Sequence, residues 1–141
     1  MAFTGNYSCN TLRSGLANGT INFATGTFYL ALYTNAATLD ASTAAYTTTG
    51  EATGGNYVAG GQVVTATVAS SNTSSGGTTY VNFSSPAWTG SITARGALIY
   101  QSGGTNPAVC VLDFGSNKTS SGTFTVQMPQ NTSTSALIRL T

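Results

Sequence analysis

From residue 27 onward the chain is a succession of short apolar runs, each closed by a cluster of Ser, Gly, Asn and Thr, and that rhythm leaves few folds open. In TFYLALYT, Phe28, Leu30 and Leu32 alternate with Tyr29, Ala31 and Tyr33, the two-residue period of a β-strand. The run is apolar on both faces, so it is expected inside a sheet. Further strands are expected near residues 62–69, 78–83, 93–101, 108–114, 122–128 and 136–140, separated by turn clusters such as SSNTSSGG, QSGGTNP and GSNKTSSG. In the 122–128 run, Thr123, Thr125 and Gln127 alternate with Phe124, Val126 and Met128, giving one polar face and one core face. Seven or eight short strands of this kind predict an all-β fold, an antiparallel β-sandwich of jelly-roll type. No helical pattern interrupts them, which argues against a βαβ sheet.

Only one short helix is expected, in the N-terminal segment. Leu12 and Leu16 stand four apart on one helical face, Asn10 or Thr11 is placed to cap the start, and Asn18-Gly19 supplies the stop. The organisation is therefore an N-terminal arm with a short helix over residues 1–26, followed by a single sandwich domain over 27–141. The connection over residues 35–61 exceeds the roughly 12–15 structureless residues that compact domains usually tolerate. Its GEATGGNYVAGG portion is rich in glycine, and Ala44, Tyr46 and Thr48 alternate as in an irregular edge strand. Tyr46 and Tyr57 either offer amphipathic rings to a partner from a long arm or fold back as a lid. Folding back is the preferred reading for Tyr57, and Tyr46 stays open between the two.

Composition narrows the chemistry. Only 5% of the 141 residues are charged, against about 25% in ordinary domains, and the net charge is +1. Electrostatic attraction to nucleic acid or an anionic membrane is correspondingly weak, so neither is an expected partner. The hydrophobic fraction of 40%, grouped in strands, argues for a folded chain rather than disorder. With no His, the usual general base and commonest transition-metal ligand is missing. The carboxylates are Asp40, Glu51 and Asp113, too few for a tuned acid/base pair with supporting groups, so the expectation is no enzyme, no catalytic residue and no cofactor. Asp40 and Glu51 lack the spacing of a calcium loop and no metal is expected; Asp40 reads as an Asx turn, and Glu51 is available to an arginine. Arg95, before Gly96 in TARGALIY, and Asp113 in VLDF are expected to pair across neighbouring strands. The glycine clusters match no phosphate-binding motif, and the four basic residues are scattered.

Cys9 and Cys110 lie far apart, and Cys110 sits in an apolar strand, which favours buried free thiols over a disulfide. Neither a signal-peptide pattern nor an apolar run of about 18 residues is visible. The Asn-X-Ser/Thr triplets follow from composition, and without an export signal no glycan is expected on them.

The blocks ALYTNAATLDASTAAYTTTGE, YVAGGQ and ARGALIY, spread over residues 28–140, resemble small virion structural proteins of tailed bacteriophages. What the resemblance implies is a non-enzymatic capsid decoration, or cement, protein. Such a protein is made in the host cytoplasm, docks on the outer surface of the head and bridges major capsid protein subunits. A shell repeats its docking sites, so a homo-oligomer, a dimer or trimer at a capsid symmetry axis, is expected. The interface candidates are Phe3, Tyr7, Leu12 and Leu16 in the N-terminal segment and Tyr46 and Tyr57 in the long connection. The alternative is a tail, fibre or head-spike protein in which Trp88, in SSPAWTGS, stacks on a host glycan. Against that stands Trp88 as a core anchor near a sheet edge. A third reading, a free-standing bacterial binding domain, is weakened by the missing export signal.

Overall fold

The computed structural model describes residues 3–141. In chain order its elements are β1 (Tyr7–Ser8), α1 (Asn10–Asn18), β2 (Phe28–Tyr33), β3 (Gln62–Val64), β4 (Ala66–Thr73) and β5 (Gly76–Phe83). There follow β6 (Ala87–Thr89), β7 (Thr93–Gln101), β8 (Ala108–Thr119), β9 (Thr123–Thr125) and β10 (Ile138–Leu140). All pairings between these strands are antiparallel, and the fold is an all-β sandwich with one short helix, as the period-two runs predict.

One layer is the five-stranded sheet β1-β8-β7-β2-β3. The strand read as apolar on both faces, β2, lies inside it between β7 and β3. The second layer joins β10-β5-β4 with the short pair β6-β9. The two ladders are stitched by Asn82 Nδ2 of β5 donating to Pro129 O, beyond β9, at 2.7 Å, while the Val126 N–H donating to Pro86 O at 3.0 Å extends the β6-β9 pairing by one step. Between the layers, Phe28, Leu30, Leu32 and Ile99 meet Val81, Phe83, Trp88, Phe124 and Val126. The polar partners Thr123, Thr125 and Gln127 face solvent, as alternation requires.

A second core lies on the opposite face of the five-stranded sheet. Ala31, Tyr33, Leu98, Tyr100 and Val111 point there and are covered by Phe3, Ala37 and Leu39, with Tyr46 packed alongside. The cover comes from the N-terminal segment and from residues 35–61. Neither is a free arm. Burial of this face explains why β2 and β7 are apolar on both sides, since each side has its own cover.

Helix α1 ends as read, with Gly19 left-handed at φ 82°. Its start differs: Cys9 occupies the N-cap and neither Asn10 nor Thr11 caps it through a side chain. The backbone enters the helix directly from β1, whose Tyr7 and Ser8 pair with Val111 and Cys110. Strand β8 runs on to Thr119, past a register irregularity opposite Arg95 in which Gly115 adopts φ 83°. Gly96 is a close approach of the kind expected: a Cβ there would lie 2.5 Å from both Leu112 O and the Phe3 ring.

Candidate docking surface

The long connection closes on a single carboxylate. Glu51 accepts hydrogen bonds from the hydroxyls of Tyr46 (2.7 Å) and Tyr57 (2.6 Å) and from the Gly60 N–H (2.7 Å). Around this hub, Gly60 O accepts from the Tyr100 hydroxyl at 2.7 Å, and Tyr46 stacks on Tyr100 at 4.8 Å. The same segment finishes the end of β2 that β3 leaves unpaired beyond Leu30. The Leu32 N–H donates to the Tyr57 hydroxyl (2.9 Å), the Ala52 N–H to Leu32 O (2.8 Å), and the Thr34 N–H to Gly50 O (2.8 Å). Burial raises the Tyr57 and Tyr46 phenols above their ordinary range, with the Glu51 carboxylate adding to the effect, and raises Tyr100 to about 12.

Tyr57 folds back as the sequence favours, and Tyr46, left open there, does the same, so neither ring stands on an arm extended toward a partner. One expectation changes. Glu51 binds no arginine, because its two oxygens are taken by donors five to nine residues away in sequence. The signal was present in the chain, since Glu51 is a lone carboxylate flanked by Tyr46 and Tyr57, the two nearest phenols.

The other acidic residues are also committed. Asp40 Oδ1 accepts from the Ser42 N–H (2.8 Å) and hydroxyl (2.6 Å), the Asx turn expected, and these bonds hold its carboxyl below the usual range. Asp113 pairs with Arg95 at 2.9 Å, and that bond holds its carboxyl low as well. Arg95 in turn lies 5.9 Å from the centre of the Phe3 ring. The pair locks β7 to β8 beside the register irregularity.

Cys9 and Cys110 are both free and buried, as the sequence suggests. They belong to cores on opposite faces of the sheet, which explains why strand neighbours carry unbridged thiols. Burial raises the Cys9 thiol to about 11.

Three further candidates need correction. Phe3 is 1% exposed and Leu12 is 2% exposed, so both serve this chain's own core rather than standing out toward a partner. Trp88, 3% exposed, packs between the layers with Tyr57 5.5 Å away, and no face of the indole is left for a sugar. Its role is the core anchor.

Tyr7 and Leu16 remain half-buried, and they meet in an open furrow of about 640 Å³. The furrow is the seam between the two layers on the side where β8 and β10 lie. Leu12, Leu16, Leu112, Leu137 and Ile138 give it an apolar lining, with Tyr7 and the 47%-exposed Leu140 also at its walls. Arg13 and Arg139 are the charged side chains lining it, and Arg13 is held by Ser8 Oγ (2.7 Å) and Asn10 Oδ1. Among the described residues no other strand pairs with the outer edge of β10, and β1 covers only Cys110 and Val111 of β8. The furrow therefore combines an apolar floor with unpaired strand edges, the requirements for receiving an extended segment. The sequence did not disclose it, because its walls come from both chain ends. Among the described residues no helix is long and apolar enough to cross a membrane. Comparison with protein-family models, with curated proteins and with solved structures finds no match to this chain.

Proposed function

We propose that the chain is a non-enzymatic virion structural protein, a capsid decoration protein that docks on the outer head surface and bridges major capsid protein subunits. The virion context rests on the resemblance of the ALYTNAATLD, YVAGGQ and ARGALIY blocks. The observation that carries the docking role is the furrow, where an apolar floor and the open edge of β10 await a partner strand. Its occupant is an extended, largely apolar segment of a capsid subunit. Backbone pairing along β10 supplies direction, and side chains entering between Leu16, Leu112 and Ile138 supply fit. The commitment of Asp40, Glu51 and Asp113 to turn, lid and ion pair supports a structural role over catalysis. Trp88 lends nothing to the glycan-binding alternative, since it is buried.

Co-sedimentation with heads stripped of this protein tests the reading. Wild type should bind and stay bound in salt that screens surface ion pairs, because the contact is mostly apolar and neutral. Leu140→Asp, at a half-exposed wall position, should fold normally and lose retention. Undiminished binding by Leu140→Asp contradicts docking in the furrow, and release by moderate salt transfers the contact to Arg13 and Arg139.

A further inference from the structure

The strands on the side of the sandwich away from the furrow carry no charge. Between Glu51 and Arg95 there is not one Asp, Glu, Lys or Arg, and this stretch includes β3, β4 and β5. β3 and β4, joined through Thr65, are the outermost strands of the two layers on this side. Edge strands display unpaired backbone groups, and chains ordinarily blunt them with Lys, Pro, inward-pointing charge or short length. β4 uses none of these over its 8 residues, ATVASSNT.

Its inner face lacks a neighbour. Val68 stands opposite Val81, and directly opposed residues of an antiparallel pair share a face. Val81 is 1% exposed whereas Val68 is 48% exposed, so the core layer is closed at β5 and left open one strand further out. Val63 at 51% and Val58 at 70% lie on the same stretch. Of the large exposed apolar side chains among the described residues, only Leu140 lies elsewhere.

We infer that this edge pairs with the same edge of a second copy, β4 against β4 in antiparallel register about a two-fold axis perpendicular to the sheet. The charge pattern selects the partner. An uncharged edge has no means of attracting a charged surface, yet it meets its own image without like-charge repulsion. The strand also fits itself. What the edge lacks is an apolar inner-face residue flanked by small ones, and Ala66, Val68 and Ser70 supply that sequence on the required face. A perpendicular two-fold maps each sheet face onto itself, so the two Val68 side chains meet on the core side and continue the layer. A closed two-fold uses each β4 edge once, so association stops at the dimer. The two furrows then face outward from opposite ends; that they grip two capsid sites rests on the docking reading above, whereas the dimer does not.

Sedimentation equilibrium of the full chain, with no capsid present, tests the dimer separately from docking. Wild type should be dimeric at about 50 µM. Val68→Lys and Val68→Glu, at a half-exposed site that lets each charged head reach water, should keep the wild-type circular dichroism and weaken dimerisation by about 100-fold or more. Mixing the two variants should restore a heterodimer. A monomeric wild type, a dimer indifferent to charge at residue 68, or variants that fail to recombine would each overturn the inference.

Discussion

Replacing Glu51 with alanine removes one acceptor from three donors at once, and its cost follows from the geometry. Hydrogen bonds to a charged group contribute about 1.5–3 kcal/mol each, but three sharing one half-buried carboxylate do not add in full. Water also reaches the vacated hydroxyls in part. The expected loss is about 3–4 kcal/mol, a large share of the roughly 5–15 kcal/mol that stabilises a domain. For a chain of this size that corresponds to about 10 °C in Tm. Glu51→Gln separates charge from shape: its oxygen still serves Tyr57 and Gly60, and the Tyr46 hydroxyl turns to accept from the amide. That variant should lose only about 1–2 kcal/mol. Urea unfolding gives the totals, and hydrogen exchange locates them, with faster exchange expected at Ala52 and Gly60 and none added at Ile99 or Val109. A loss under about 1 kcal/mol for Glu51→Ala, or unchanged exchange at Ala52 and Gly60, would refute the idea that this carboxylate fastens the lid.

Gly61→Ala should be more damaging than a surface substitution, at about 3 kcal/mol or more, because φ is 82° there and a Cβ would lie 1.9 Å from Leu30 O; thermal unfolding reads it directly. Native protein should leave Cys9 and Cys110 unreactive toward a thiol reagent near neutral pH, with both thiols labelled only after unfolding; fast labelling of either would contradict their burial. Stability should fall at high pH. Phenols ionise near pH 10 in the unfolded chain, while burial raises Tyr100 to about 12 and Tyr33, Tyr46 and Tyr57 further. Their contribution is full below about pH 10 and is lost as pH climbs through the folded values, so a flat profile from about pH 9 to about pH 12 would argue against buried tyrosines.

The strands were legible wherever burial imposes a period. β7 matches the expected 93–101 run from end to end, and β2 declared its interior position by being apolar on both faces. β1 and β6 were not legible, since two or three residues carry no period and pair only because tertiary context brings Val111 and Phe124 beside them. The far half of β8 was hidden because Gly115, Ser116 and Asn117 have turn chemistry, and the chain uses it for a bulge inside a ladder. Aromatic and aliphatic residues outside the longer strands proved hardest to place. Phe3, Leu12 and Trp88 look alike in sequence whether they face a partner or a core, and only tertiary packing decides it: Phe3 joins the cover on the far face of the five-stranded sheet, and Leu12 and Trp88 the core between the layers. The furrow required both chain ends to meet along β8, a long-range contact without local trace.

Cryo-electron microscopy of the intact particle tests the docking account most directly. It should show this sandwich on the outer head surface, over the junction between capsid subunits. An extended capsid segment should lie along β10 between Leu16 and Leu140, with residues 35–61 closed over their own sheet. Density confined to the tail, or a chain seated on the head with the furrow turned to solvent, would contradict it.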